Sequence, residues 1–436
     1  MNNNIKKTRF VKTPKINHSF TGERLTCYSG LSLLSSFMEK LEVNKNLDRI
    51  FPTKNHNSLK FKTVQLLMLG IFASFTGVSK LNKIKNLSAD PLVMFLLGLK
   101  KALNKDVLST RLKSLGQMGA LKLHDYFQTQ AHFFLKSSKT EHLTLDVDST
   151  VFNVTGNQEG TAKGYSPIKK GAKSYHNLIG FASELRIVLN TWFRTGSAYT
   201  SNGVCEFIKE IKARLPIEVK TVFFRADSGY FGGELFTLLE GFSWEYLIKV
   251  KLKGLGKILE RQNWKTEKDG SDYCSFNHSC GTWDLSRQFY AVRTLKGYKK
   301  EEFLGELKLV PIYIYACFCS NIKNTSASKI YNLYKQRSTS ETWIEEVKSQ
   351  ALAGKTRTSS FYANEMLWLL NIMAYNIAVM ARRKVENFET SEHKTFVDIF
   401  VMIAGKIINS GGKMQLKIYE HYYFKKEWLC LEKQLI

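Results

Sequence analysis

The chain is 436 residues long and sets 64 Lys and Arg against 38 Asp and Glu, a formal charge of +26. With 44% hydrophobic and 13% aromatic residues it holds too much apolar surface for a disordered chain. No uncharged apolar run reaches about 18 residues, so no membrane span is expected, and no secretory signal opens the chain. A surface this basic fits a polyanion, with nucleic acid the first candidate and an anionic membrane the second. The seven cysteines are odd in number and scattered, which suits a reducing cytosol better than a disulfide framework.

Lys6, Lys7, Arg9, Lys12 and Lys15 open the chain with no acid among them. They read either as a soluble terminus or as a basic arm on a phosphate backbone. From about 28 to 135 the apolar period is helical. Leu31, Leu34, Phe37, Met38 and Leu41 share one stripe, Val64 to Phe75 is a second helix, and Asp90-Pro91 is a helix start. Asn104 to Leu115 reads as a short turn feeding a Ser-Thr-Arg helix, either a helix-turn-helix element or an ordinary surface helix.

At Leu143 the period changes to two, which predicts a strand bearing Asp146 and Asp148 on its polar face. A glycine-rich loop follows over 156–171, and His176 beyond it is expected to touch DNA or solvent. Leu185–Trp192 is the second predicted strand, 202–215 a helix, Val219–Phe224 a third strand and Trp244–Val250 a fourth. Residues 251–308 are rich in Lys and Gly with short β-like pieces, and Val310–Cys319 is a strong strand. One long helix is predicted from Ala327 to about Ala353 and a second, very apolar one from Ala363 to Lys384. The tail from about 405 is basic and aromatic, able to stack on nucleic acid or to pack on the body of the protein. Cys274, His278, Cys280, Cys317 and Cys319 have no standard zinc spacing; Cys317 and Cys319 fit buried strand thiols.

Three acidic positions sit where chemistry is usually placed: Asp148 or Asp146 at the end of the first strand, Asp227 at the end of a later one, and Glu341 inside the long helix. Carboxylate oxygens are the hard ligands that Mg2+ prefers. On a continuous helix Tyr334, Arg337, Glu341 and Lys348 share one face, as a polar site or as a salt-bridged surface helix.

These motifs together resemble the DDE-type transposases of bacterial insertion sequences, in the branch with a tyrosine–arginine–glutamate–lysine signature. Tyr334, Arg337, Glu341 and Lys348 match that signature at every step. Asp148-Ser149-Thr150 resembles the family's first motif and Arg225-Ala226-Asp227-Ser228-Gly229-Tyr230 its second. Asn371 to Asn376 resembles the helix that follows, and the loop from Gln158 through Tyr165 to His176 one subgroup of the family. The resemblance implies an α/β fold, a ribonuclease-H-like mixed sheet flanked by helices. It divides the chain into a helical N-terminal DNA-binding and dimerisation region (1–138), a core in two parts (139–250 and 309–390), a β-rich insertion (251–308) and a basic aromatic C-terminal region (391–436). It implies two Mg2+ or Mn2+ ions on Asp148, Asp227 and Glu341, with phosphates bound by Tyr334, Arg337 and Lys348. It further implies cut-and-paste DNA transposition on terminal inverted repeats, a homodimer on double-stranded DNA, no membrane, and a place in the bacterial cytoplasm at the nucleoid. Two neighbouring readings are a relative that holds DNA without cutting and a metal-dependent nuclease of the same fold.

Overall fold

The computed structural model describes residues 16–53, 60–164, 171–281, 283–303, 306–355, 358–411 and 413–436. The basic residues Lys6 to Lys15 and Tyr165 lie outside them. Helices α1 (Leu31–Lys40) and α3 (Thr63–Phe75) follow the predicted apolar stripes, α4 (Pro91–Leu96) begins at the predicted start, and α2 (Val43–Ile50) was not foreseen. Asp90 caps α4 as its sequence suggests, its carboxylate accepting from the N–H groups of Leu92 and Val93.

Helix α5 (Lys105–Ser137) starts at the Asn104 cap but does not stop near Leu115. It bends at Gly116, where φ is +57° and ψ −153°, and runs on to Ser137. Arg111, in the segment read as either a helix-turn-helix element or an ordinary surface helix, donates to Thr63 Oγ1 at 2.6 Å. The α5 helix packs against the buried helix α10 introduced below, so it serves as internal support.

A ten-stranded mixed sheet forms the centre. Its strands are β1 (His142–Asn153), β2 (Lys173–Ala182), β3 (Ile187–Trp192), β4 (Thr221–Ala226) and β5 (Glu245–Lys249), then β6 (Asp272–His278), β7 (Arg287–Phe303) and β8 (Glu306–Ser320), with the short segments Ala162–Lys163 and Lys265–Thr266. Strands β1, β2 and β3 form an antiparallel meander, and β4 and β5 run parallel to β1 on its other side. Beyond β5 the order is β8, β7, β6, all antiparallel, so the strands of 251–308 extend the same sheet.

Strand β2 is absent from the sequence-based expectation, which leaves its residues in a loop. It is buried on both faces from Ser174 to Ala182, so no polar–apolar alternation marks it. His176 therefore lies in a strand and is buried, not set in a solvent loop. Between the residues paired to neighbours, β7 and β8 continue as a two-stranded ribbon with Leu295, Tyr298, Leu307, Leu309 and Ile314 exposed.

Helix α6 (Val204–Arg214) matches its predicted position, and α7 (Gly233–Gly241) links β4 to β5. The single helix predicted over 327–353 is two, α8 (Ala327–Lys335) and α9 (Ser338–Glu345), followed by a π-helical turn at Glu346–Gln350. Helix α10 (Phe361–Arg382) is buried along nearly its whole length and packs on α3, α5 and β3. Its polar groups fasten it to the sheet. Trp368 Nε1 donates to Thr191 Oγ1 at 2.9 Å. Asn376 pairs with Val188 on both sides, accepting from its N–H and donating to its C=O, each at 2.9 Å. The side chain thus substitutes for a neighbouring strand at the edge of β3.

The two ends of the chain meet. Arg24–Thr26 pairs with β9 (Gly405–Ser410), which pairs with β10 (Lys413–Ile418). Gly30 admits this approach, since a Cβ there would stand 1.6 Å from the Phe400 carbonyl oxygen. Helix α11 (Lys425–Leu435) packs on α1 and α10 through Trp428, Leu431 and Leu435, while Tyr419 and Tyr423 stay exposed. Among the described residues no helix is long and apolar enough to cross a membrane.

Asn376→Ala should lower unfolding free energy by about 2–4 kcal/mol, because it strands two buried backbone groups. Denaturant unfolding checks this; a loss under about 1 kcal/mol would show that Val188 finds other partners.

Candidate active site

The parallel register of β1 and β4 runs from His142↔Thr221 to Val147↔Ala226. Asp148 and Asp227 are the next residues beyond that last pair; Asp148 lies inside β1, not at its end as expected, because β1 runs on to pair with β2, while Asp227 follows the end of β4. Asp146 shares a face with Asp148, but its role is different. Arg225 grips it with two bonds, Nε to Oδ1 at 2.8 Å and Nη2 to Oδ2 at 2.7 Å, and Ser183 donates to Oδ2 at 2.5 Å. The Asp146 and Arg225 side chains are 2% and 5% exposed, so this carboxylate is closed off.

Arg225 also breaks the helix that bears Glu341. Its Nη1 donates to the Leu333 carbonyl at 3.1 Å. In a continuous α-helix that carbonyl would accept from the Arg337 N–H. Arg337 N instead bonds Tyr334 O, one residue nearer, at 2.9 Å. The hydroxyls of Ser338, Thr339 and Ser340 each turn back to the carbonyl three residues earlier and satisfy the loosened turn. The turn is tightened there, yet Arg337 and Glu341 keep the i,i+4 approach that the spacing predicts. Arg337 turns into the sheet, 5% exposed, and donates to Asp148 Oδ2 at 2.6 Å. Glu341 stays at the rim, 69% exposed, 3.7 Å from the same guanidinium. Lys348, in the π-helical turn, pairs with Glu345 at 2.8 Å.

Arg337 thus stands among the acids. Burial opposes its charge, but Asp148 first, with Asp227 among the further contributors, outweighs that and holds it charged. Burial raises Asp148 to about 6, with Asp227 adding to the rise and Arg337 working against it. Burial likewise lifts the Tyr334 phenol to about 12, and Asp227, Asp148 and Glu341 all reinforce the shift. The Tyr334 ring packs on Phe318 at 4.6 Å between centroids. A residue that spacing alone does not single out is Tyr230: it is buried, and burial, then Asp148 and Asp227, push its phenol far above the usual range. Its only sequence signal is the aromatic that closes the Asp227-Ser228-Gly229 motif.

Hard carboxylate oxygens on neighbouring strands suit a divalent cation. Among the described residues, however, no three His, Cys, Asp or Glu side chains are grouped closely enough to hold one as they stand. Asp148 and Asp227 fit by chemistry and placement, and Glu341 is within reach of Arg337 but not yet of them. Cys317 and Cys319 are buried, and burial raises both thiols, Cys319 to about 12, which disfavours thiolate ligands. His176 Nδ1 is 2.7 Å from the Ala198 carbonyl, and burial lowers its pKa, so it braces a loop in its neutral form.

A family model described as transposase DDE domain group 1 matches residues 8–435. No curated protein matches the chain. Among solved structures, a piggyBac transposase synaptic complex with hairpin DNA aligns at a TM-score of 0.45 and 13% identity, over 87% of this chain and 82% of that one. A Mos1 transposase paired-end complex with left transposon end aligns at 0.18 and 11%, over 44% and 61%. The family match alone carries the assignment.

Asp146→Ala should cost about 3–5 kcal/mol, since it leaves Arg225 charged and buried without its partner. Asp148→Ala should cost clearly less, because Arg337 keeps Glu341 and a desolvated acid is removed. Thermal or denaturant unfolding of the two variants compares them; equal losses would contradict the division of roles.

Proposed function

The chain belongs to the DDE-type transposases, enzymes of DNA transposition, and we propose that it cuts and joins DNA with Asp148, Asp227 and Glu341 as its acidic triad. The observation that carries this reading is that Asp148 and Asp227 each lie one residue past the last parallel pair of β1 and β4, close to Tyr334 and Arg337 of the segment that also bears Glu341. The strand order β3-β2-β1-β4-β5, three antiparallel and two parallel to β1, supports a ribonuclease-H-like core. On this reading 1–138 binds DNA and dimerises, 139–250 with 309–390 forms the core, 251–308 is its β-rich insertion, and 391–436 closes the chain.

Two Mg2+ or Mn2+ ions on the triad would neutralise charge at the attacking and leaving oxygens of a phosphoryl displacement. Asp148 must be ionised and freed from Arg337 to serve as a ligand, and Glu341 must join from the rim. Arg337, once released, and Tyr334 hold phosphates near the scissile bond, with Lys348 beside them. The substrates are double-stranded DNA at the element's terminal inverted repeats and at the target, bound by a homodimer at the bacterial nucleoid. The excess of positive charge supports a DNA partner.

A second reading, a relative that holds DNA without cutting, is favoured by the exposed Glu341. Purified protein with Mg2+ should nick DNA bearing the element's ends, and Glu341→Ala should reduce nicking to background with an unchanged melting temperature. Binding without nicking by the unaltered chain would select the second reading.

Divalent-ion binding should weaken about tenfold per pH unit below about 6, because Asp148 must then lose a proton to act as ligand. Mn2+ titrations between pH 5 and 7.5 check this, and a flat profile would exclude Asp148 from the metal site.

A further inference from the structure

A cleft of about 700 Å³ opens on Asp227 and is lined by Lys163, Tyr199, Thr200, Ser201 and Lys251, with no part of the broken helix contributing. Lys163 and Lys251 are exposed, and among the described residues neither is paired with a carboxylate. Tyr199 is 74% exposed, yet the loop that carries it is held firmly. Arg194 spans it from beneath, donating to the carbonyls of Tyr199 at 3.1 Å and Asn202 at 2.8 Å and, through Nε, to that of His176 at 2.8 Å. His176 Nδ1 holds the Ala198 carbonyl, and Thr200 Oγ1 lies 3.4 Å from the hydroxyl of Ser149, the residue after Asp148. Four contacts thus fix a loop whose aromatic ring is exposed, in a cleft that Lys163 and Lys251 also line. Free ammonium groups spaced along a groove bind phosphates, and an exposed ring beside them stacks on a base.

We propose that this cleft seats a single DNA strand running up to Asp227, with Lys163 and Lys251 on its phosphates and Tyr199 stacked on one unpaired base. The proposal rests on the reading of the chain as a DNA-cutting transposase and adds to it a strand track separate from Tyr334, Arg337 and Lys348. All three side chains are exposed, so their replacement leaves the fold intact, which melting curves verify.

The test uses the full chain with two fluorescent probes, a duplex of about 20 base pairs and the same duplex with a thymidine tail of about 8 nucleotides. For the tailed probe, the salt dependence of log K should fall by about 1.4 in the Lys163→Ala, Lys251→Ala double variant, about 0.7 for each lost contact. Tyr199→Ala should weaken binding of the tailed probe about tenfold and leave the blunt duplex unchanged, while Tyr199→Phe restores it. An unchanged salt slope, or equal losses on both probes, overturns the strand track. Failure of the transposase reading shows separately, as absence of Mg2+-dependent nicking by the unaltered chain, and leaves these binding outcomes readable.

Discussion

The buried pair of Asp146 and Arg225 organises everything around the site. It joins two adjacent parallel strands side by side, and both of its guanidinium bonds to the carboxylate are short. A buried ion pair contributes little net stability over a well-packed apolar pair, yet losing one partner is costly. Its worth here lies in specification. A one-residue slip of β4 against β1 would part Arg225 from Asp146 and would also part Asp227 from Asp148. The same arginine reaches with its remaining nitrogen to the Leu333 carbonyl and tightens the helix there. One side chain therefore sets the register of the acid pair and the point at which Arg337 turns down onto it.

Much of this was legible in the sequence, and the missing parts share a physical cause. Period-two alternation marked β1 because one face is apolar and the other polar. Strand β2 escaped because both of its faces are buried, which removes the alternation. The spacing of Tyr334, Arg337, Glu341 and Lys348 placed them on one helical face, and that inference assumed an unbroken ladder of i to i−4 bonds. The break depends on Arg225, more than a hundred residues earlier, and no local pattern reports it. The run Ser338-Thr339-Ser340 was the one nearby hint, since these hydroxyls compete for backbone carbonyls. The choice of Asp148 over Asp146 rested on resemblance; the closure of Asp146 by Arg225 and Ser183 was not legible. The joining of the chain's two ends through Arg24–Thr26 and Gly405–Ser410 is non-local and left no signature beyond Gly30.

The electrostatics of the site follow from position more than from composition. The chain carries +26, yet its centre gathers Asp146, Asp148, Asp227 and Glu341 around two arginines. Arg225 is committed to a carboxylate that has no other task. Arg337 is not: it is shared between Asp148 and Glu341, one buried and one exposed. A guanidinium with two unequal partners is the more readily displaced of the two arginines.

The β7–β8 ribbon has a consequence for the protein's solubility. Past its roots it pairs, among the described residues, only with itself, so both outer edges offer unfilled main-chain donors and acceptors, and apolar side chains stand along it. Such an arm is a template for stray strands and hence for fibrous aggregation. Three features blunt it. Pro311 lacks an N–H, the register shifts at Gly297, and the ion pairs of Lys299 with Glu301 and Lys308 with Glu306 line it with charge. Replacing Pro311 or those lysines with β-branched apolar residues would remove this local protection and make the projecting arm a nucleation point.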